Sequence, residues 1–381
     1  MKSNILRRIR SAGLAAVMAA TLLSGCAGNS GGDYTATDRY VKSLGRTYYE
    51  EDCDTLWFSL SGTGVEFTYS GCTECTIDLR GDTVSASIGK KASHPRYAVY
   101  VNDELVIDAL LSGGSDTVEV PLDAEDGTIR LVKLSEAYNS SMGISGIHVD
   151  GTIRAAKEKK LKIEFIGDSI TCGYGVDGEL GDTFTTATEN AMKSYAIRAA
   201  ELLEADWSLV SYSGYGLVSG YTTNGSAVEE QRIGLYYTLL GHSQGALASG
   251  LKADEVEWDF KEFAPDYVVI NLGTNDATYC GNDSVKKQEF ISAYIDFLKT
   301  VREHNKKATI VCTLGIMGQD LYLCIQEAVG KYSSETGDDA VFCLEFDQQT
   351  APYAVDYHPT EETHEKAAEV LAAFITELEE Q

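Results

Sequence analysis

Residues 163–171 read IEFIGDSIT, an apolar run that breaks at Gly167 and presents Ser169 at a turn. Glycine permits the sharp backbone turn at this point. Further strand-like runs follow at 209–212, 267–272, 309–314 and 341–346. Helix-like stretches lie between and after them, at about 189–204, 285–304, 319–333 and 361–379. Such alternation is typical of a parallel sheet with helices on both faces. Residues 160–381 are therefore predicted to form an α/β domain with a flavodoxin-like sheet.

The preceding part of the chain has a different texture. Short segments rich in Val, Ile, Tyr, Phe and Thr recur at 56–60, 65–69, 75–79, 97–101, 117–120 and 128–134. Turn-forming residues separate them, which is typical of an antiparallel sandwich. A length of 381 residues also favours two domains over one. Residues 39–154 are predicted to form an all-β, jelly-roll-like sandwich, and whether it contacts carbohydrate stays open.

The first residues predict export. Four basic residues precede an apolar stretch at 12–23, and the sequence LSGC at 23–26 then resembles a bacterial lipoprotein box. The apolar stretch is too short for a transmembrane helix. We therefore expect a signal peptide at 1–25, a lipid on Cys26, a flexible tether at 26–38, and an extracellular protein anchored to the bacterial membrane. A plain signal peptide with an incidental cysteine is the alternative.

The charge of the chain restricts its partners. The formal net charge is −27, and removing the four basic residues of the signal peptide would make it −31. Such a surface repels nucleic acid and disfavours anionic polymers, whereas a neutral polysaccharide approaches unhindered. The Cys72-x-x-Cys75 motif has no second pair and no suitably spaced histidines, so we expect no metal and no cofactor. The sequence leaves the oligomeric state open.

Four segments carry candidate chemistry at the carboxyl ends of the predicted strands. They are GDS at 167–169, SYSGYG at 211–216, NLGTND at 271–276 and DYHP at 356–359. Active sites of open α/β sheets gather at these ends. A serine hydroxyl needs an imidazole to take its proton, and donors that hold the resulting oxyanion lower the barrier further.

The four segments together resemble the SGNH or GDSL-type hydrolases, in which Ser, Gly, Asn and His occur in this chain order. The resemblance implies that Ser169 is the nucleophile and His358 the general base. It also implies an oxyanion hole made by the N–H groups of Ser169 and Gly216 and by the side chain of Asn275. The spacing alone permits Gly214 in place of Gly216.

One departure concerns the group that orients His358. The family usually has an aspartate three residues before the histidine, where this chain has Val355, and Asp356 lies only two residues before it. Either Asp356 reaches the imidazole, or a backbone carbonyl near Ala354 or Val355 orients it in a Ser-His dyad.

The whole chain also resembles carbohydrate esterase family 2, including Gly45-Arg46 and the SGTGVEF segment at 61–67. That resemblance implies a dyad and an enzyme that removes acetyl groups from plant polysaccharides or sugars, similar to acetylxylan esterases. Tyr357 would then serve as a sugar platform, although it could equally be a packing residue.

The sequence permits three alternatives. The sequence GHSQG at 241–245 fits the nucleophile elbow of α/β-hydrolases, with Ser243 as nucleophile, but this leaves the other segments unexplained. A GDSL-type lipase or thioesterase would keep the chemistry and change the substrate. A decayed, glycan-binding lipoprotein is the non-enzymatic reading, against which the intact Ser, Gly, Asn and His positions argue.

Overall fold

The computed structural model describes residues 31–87, 89 and 91–380. The predicted signal peptide, Cys26 and residues 26–30 of the predicted tether lie outside the described residues. Within the described ranges, no helix combines the length and the apolar character that crossing a membrane requires.

Among the described residues, the amino-terminal domain contains twelve strands. They are β1 (Gly32–Tyr34), β2 (Lys42–Leu44), β3 (Thr47–Glu50), β4 (Thr55–Phe58), β5 (Gly64–Ser70), β6 (Cys75–Gly81), β7 (Arg96–Val101), β8 (Glu104–Leu110), β9 (Ser115–Glu119), β10 (Asp126–Lys133), β11 (Met142–Val149) and β12 (Thr152–Ala155). One sheet has the order β3-β4-β11-β6-β9, with β1 paired to β11. The other has the order β12-β5-β10-β7-β8, with β2 paired to β5. The predicted antiparallel sandwich is confirmed.

Residue alternation explains why the two sheets stack. Along β6, Cys75, Ile77 and Leu79 are buried, whereas the intervening Thr76 and Asp78 are partly exposed. Successive side chains of a strand point to opposite faces, so one face enters the core and the other meets water. The thiols of Cys72 and Cys75 are free. Strand β1 pairs with β11 from Gly32 to Tyr34, so the described end of the predicted tether is part of the sandwich.

In the carboxyl-terminal domain, the described residues form five parallel strands and six α-helices. The strands are β13 (Leu161–Gly167), β14 (Ala205–Ser211), β15 (Tyr267–Asn271), β16 (Thr309–Ile316) and β17 (Val341–Gln348). The helices are α1 (Ser169–Cys172), α2 (Tyr195–Leu202), α3 (Thr274–Cys280), α4 (Ser284–His304), α5 (Tyr322–Thr336) and α6 (Glu361–Glu379). The sheet order β14-β13-β15-β16-β17 is the flavodoxin-like order that the sequence predicts.

Both faces of this sheet are covered. On β15, Val268 and Ile270 join the apolar core formed with α4 and α5. The alternate residues Tyr267 and Val269 join the core formed with α2 and α6. This two-sided burial explains the continuous apolar runs of the sequence. All five strands end at the same edge of the sheet, which brings the four candidate segments together.

A buried ion pair joins the two domains. Arg46 of the sandwich is fully buried, and its Nη2 lies 3.0 Å from Oε1 of Glu164 on β13. Arg46 Nη1 also donates to the carbonyl of Tyr237. Nearby, Trp207 Nε1 donates to the carbonyl of Gly62 at 2.8 Å. Both contacts involve the Gly45-Arg46 and 61–67 segments, which therefore hold the sandwich against the sheet.

Candidate active site

Ser169 occupies the first turn after β13, the strand that lies between β14 and β15 in the parallel sheet. It begins α1 directly after β13, and its N-cap Asp168 accepts the N–H of Ile170 at 3.0 Å. As the first helical residue, Ser169 has an N–H without an intrahelical acceptor. Burial, with a smaller contribution from the charge of Asp276, raises the pKa of Asp168 to about 7.

The imidazole of His358 contacts Ser169. Its Nε2 lies 2.8 Å from Ser169 Oγ, and its Nδ1 lies 3.1 Å from the carbonyl oxygen of Val355. A carbonyl can only accept, so Nδ1 carries the proton and the lone pair of Nε2 faces the serine hydroxyl. Burial lowers the pKa of His358 to about 4, and the ring is therefore neutral at neutral pH. The arrangement suits a general base.

Asp356 does not orient the imidazole in this structure. Its carboxylate accepts a hydrogen bond of 2.9 Å from the hydroxyl of Tyr174. The backbone is left-handed at Asp356 (φ 49°) and at Tyr357 (φ 62°), which turns both side chains away from the direction that spacing suggests. Of the two possibilities for orienting His358, the contact with the Val355 carbonyl is the one observed. Tyr357 is 60% exposed beside the dyad.

Asn275 lies in the first turn of α3 and is almost fully buried. Its Nδ2 donates to the carbonyl of Tyr215 at 2.8 Å and lies 3.3 Å from Asp168 Oδ2. These two contacts hold the amide between Asp168, which directly follows β13, and Tyr215 in the loop after β14. The side chain is thus near the turn at Ser169, and both hydrogens of its amide nitrogen have protein acceptors in this structure.

The two glycines of the loop after β14 differ in the state of their N–H groups. The Gly216 N–H donates to the carbonyl of Gln231 at 3.1 Å, so it is not free for an oxyanion. The Gly214 N–H has no acceptor within hydrogen-bonding distance among the described residues. The resemblance implies Gly216, and the spacing permits Gly214 in its place. The hydrogen bonds disfavour Gly216 and leave the Gly214 N–H available.

Asp276 has a role in the site that the sequence did not predict. Its buried carboxylate accepts the N–H groups of Leu217 (2.9 Å), Val218 (2.8 Å) and Ser219 (3.2 Å). Burial nevertheless raises its pKa to about 6. The carboxylate fixes the loop that contains Gly216, and only its position beside Asn275 in the segment 271–276 could have signalled this.

The rival nucleophile Ser243 lies in a loop without the strand and helix of a nucleophile elbow on either side. Its Oγ accepts the N–H of Gly245 at 3.3 Å. The adjacent His242 is bonded through Nδ1 to Asp254 at 2.7 Å. His358 contacts Ser169 instead, so the geometry does not support Ser243 as a nucleophile.

The sequence and the structure of the chain are similar to those of known esterases. Residues 163–371 match the GDSL-like lipase/acylhydrolase family, and residues 43–157 match the carbohydrate esterase 2 N-terminal domain. The acetyl xylan esterase Est2A of Butyrivibrio proteoclasticus has a similar structure, with a TM-score of 0.79 and 26% identity over 91% of this chain and 98% of that chain.

Two relatives match over most of the chain. The cellulase/esterase CelE of Acetivibrio thermocellus is 32% identical over 327 residues, which are 83% of this chain and 37% of CelE. The chain thus spans little more than a third of that relative's length. The acetylxylan esterase / glucomannan deacetylase of Cellvibrio japonicus is 24% identical over 348 residues, or 90% of each protein.

These matches cover both domains and confirm the resemblance that the sequence indicates. The chain belongs to the GDSL-like lipase/acylhydrolase family of carboxylic ester hydrolases, with the two-domain organisation of carbohydrate esterase family 2.

Proposed function

We propose that this protein is a carbohydrate O-acetyl esterase that works through a Ser169-His358 dyad. The observation that carries the proposal is the hydrogen bond of 2.8 Å between Ser169 Oγ and His358 Nε2. The contact of His358 Nδ1 with the Val355 carbonyl supports the tautomer that a general base needs.

In the first half of the reaction, Ser169 Oγ attacks the acetyl carbonyl carbon while His358 Nε2 takes the hydroxyl proton. The carbonyl oxygen becomes an oxyanion. When the tetrahedral intermediate collapses, the bond to the sugar oxygen breaks and His358 returns the proton to that oxygen. The deacetylated sugar leaves, and Ser169 keeps the acetyl group.

In the second half, water attacks the acetyl-enzyme and His358 accepts its proton. Collapse releases acetate and restores the hydroxyl of Ser169. The same donors serve both intermediates: the Ser169 N–H, the Gly214 N–H and the Asn275 amide, in which the oxyanion takes the place of Asp168 Oδ2, the more distant acceptor at 3.3 Å. Each such donor is typically worth about 3–4 kcal/mol of barrier.

Three observations support a carbohydrate as the acetylated substrate. Relatives that match both domains are named as acetylxylan esterases or a glucomannan deacetylase. Tyr357, which is 60% exposed beside the dyad, and Tyr353, whose ring lies 5.7 Å from it, offer ring faces of the kind that bind sugars. The net charge of −27 favours a neutral polymer over an anionic one.

The experiment is acetate release from acetylated xylan, acetylated glucomannan and 4-nitrophenyl acetate by the purified full-length chain in detergent. We expect Ser169→Ala to abolish release from all three. Ser243→Ala is the matched control and should retain activity. Loss of activity in Ser243→Ala alone, or an inactive parent that binds glycan, would refute the proposal in favour of the elbow or the binding protein.

We also propose that Cys26, which lies outside the described residues, carries a lipid that anchors the protein at the bacterial surface. The sequence LSGC at 23–26 after a basic and apolar leader supports this. Phase separation in detergent tests it. The expressed protein should enter the detergent phase, and Cys26→Ser should remain in the aqueous phase; equal partitioning of the two would contradict the anchor.

A further inference from the structure

One glutamate of the sandwich reaches the active-site loop of the other domain. Glu136 lies between β10 and β11 and is only 4% exposed. Its Oε2 accepts the backbone N–H of Ser213 at 2.7 Å. Ser213 lies two residues after the end of β14 and precedes Gly214, whose N–H has no acceptor among the described residues.

The position of Glu136 is itself fixed by buried charges. The backbone N–H of Glu136 donates to Oε2 of Glu189 at 2.9 Å, and Lys133 Nζ donates to the Glu136 carbonyl at 2.8 Å. Lys133 and Glu189 are both fully buried. Burial raises the pKa of both glutamates, and the nearby ammonium of Lys133 opposes that shift. A buried charge network is costly to disrupt, so the backbone of Glu136 has a defined place. On the side chain, Oε1 accepts a hydrogen bond of 3.3 Å from Asn139 Nδ2.

Glu136 and Glu189 also form a cluster with Cys172 that has the composition of a metal site. Carboxylate oxygens of Glu136 and Glu189 and Sγ of Cys172 lie within 4.8 Å of one another. However, Glu136 Oε2 is already bonded to Ser213 N–H, and the Cys172 thiol donates towards that same oxygen at 3.8 Å. The oxygen therefore has protein partners of its own.

Two carboxylates thus hold the loop after β14 from opposite ends. Asp276 binds the N–H groups of residues 217–219, and Glu136 binds the N–H of Ser213. Between them lie Gly214 and the Tyr215 carbonyl, which accepts the Asn275 amide. Loss of either carboxylate would let the Gly214 N–H and the Asn275 amide shift relative to Ser169. Oxyanion stabilisation depends on donors that are preorganised.

We propose that Glu136 is a positioning residue. Through it, the sandwich domain fixes the position of the loop after β14, which contains the Gly214 N–H. The proposal rests on the proposed function, because it specifies how the esterase site is completed. Glu136 touches no reacting atom; it acts through the Ser213 N–H.

The test compares Glu136→Met, which keeps the side-chain length without an acceptor, with Glu136→Gln, which keeps an acceptor oxygen. On 4-nitrophenyl acetate, we expect Glu136→Met to lower kcat about tenfold or more with KM within about twofold, and Glu136→Gln to stay within about threefold. The Kd of a boronic acid that binds Ser169 should rise with the loss in kcat. Combining Glu136→Met with Asn275→Ala should give less than the product of the two effects.

Glu50 provides the matched control. It is also a 4% exposed glutamate of the sandwich that accepts a backbone N–H of the catalytic domain, that of Ser249 at 3.1 Å. We expect Glu50→Met to change stability but not kcat. If Glu136→Met does not fold, Glu136→Asp, whose shorter side chain withdraws the carboxylate from Ser213, replaces it with the same expectation.

Amide hydrogen exchange over residues 211–218 gives a readout that does not need catalysis. We expect faster exchange in Glu136→Met than in Glu50→Met. A folded Glu136 variant with unchanged kcat and unchanged loop exchange would overturn the proposal. If the parent has no esterase activity, the proposed function fails. Amide hydrogen exchange over residues 211–218 and the Kd of the boronic acid then still test Glu136: changes in both support its positioning role, and no change in either refutes it.

Discussion

The hydroxyl of Tyr174 donates a hydrogen bond of 2.9 Å to the carboxylate of Asp356. This bond holds Asp356, the acidic residue two positions before His358, away from the imidazole Nδ1, which bonds the Val355 carbonyl instead. The orientation of His358 therefore depends on the backbone of the turn at 355–357.

Asp356→Asn should leave kcat/KM for 4-nitrophenyl acetate within about threefold of the parent, because no carboxylate contacts the imidazole. In a triad, the same change costs about 10⁴-fold. Steady-state kinetics checks this, with Ser169→Ala as the inactive reference. A loss beyond a hundredfold would mean that Asp356 turns towards His358 when substrate is bound.

Asn275→Ala should lower kcat by about 10²–10³-fold, because it removes one oxyanion donor. KM should change little, since the donor acts mainly in the transition state. The experiment measures kcat and KM together with the melting temperature. Thr278→Ala, which removes a hydroxyl that donates to the Asn275 carbonyl from the same helix, is the control for damage to α3.

The pH dependence of kcat/KM should report the neutral imidazole. Burial lowers the pKa of His358 from 6.5 to about 4. The base is active when neutral, so activity is present above this pKa and is lost as the pH falls through it, about tenfold per unit. Initial rates between pH 3 and pH 8, with folding monitored at each pH, would show this; a half-maximal pH above 6 contradicts it.

Arg46→Ala should lower the free energy of unfolding by about 3–5 kcal/mol, because it leaves Glu164 buried without its partner. Urea denaturation followed by fluorescence measures the change. Lys162→Ala is the control: its pair with Glu158 lies at the surface and should contribute within about 0.5 kcal/mol. Equal effects of the two substitutions would mean that the buried pair does not join the domains as described.

The two glycines after β14 should respond differently to alanine. A Cβ at Gly216 would lie 2.3 Å from the Ser219 carbonyl and 2.5 Å from Asp276 Oδ2. A Cβ at Gly214 has its nearest neighbour at 3.9 Å, although the φ of +81° strains it. We expect a lower melting temperature and activity in Gly216→Ala, and a cost of about 1–2 kcal/mol in Gly214→Ala. Matching melting temperatures would contradict this difference.

The parallel sheet could be predicted because its strands are buried on both faces and read as continuous apolar runs. Strand β11, in the middle of one sandwich sheet, is not among the predicted strands, because Gly143 and Gly146 weaken its strand pattern. Gly143 fits there since a Cβ would meet the Leu56 carbonyl at 2.8 Å. A close approach of this kind appears only after the neighbouring strand is known.

Of the candidate site, too, some residues could be predicted from the sequence and others could not. Ser169, Asn275 and His358 follow strands or precede a helix, so local patterns find them. The direction of the Gly216 N–H and of the Asp356 side chain depends on φ angles and distant acceptors, which spacing does not contain. Glu136 has no local motif at all, because its partner Ser213 lies in the other domain.

The Arg46-Glu164 pair also has an evolutionary consequence. A gene-level cut between residues 155 and 161 would separate Arg46 from Glu164 and expose the apolar surface through which Leu44 and Val132 of the sandwich share one core with Phe165 and Trp207. Neither fragment is expected to remain soluble alone. Natural recombination and protein engineering should therefore move the sandwich and the esterase fold as one cassette, and domain shuffling is expected at its outer ends.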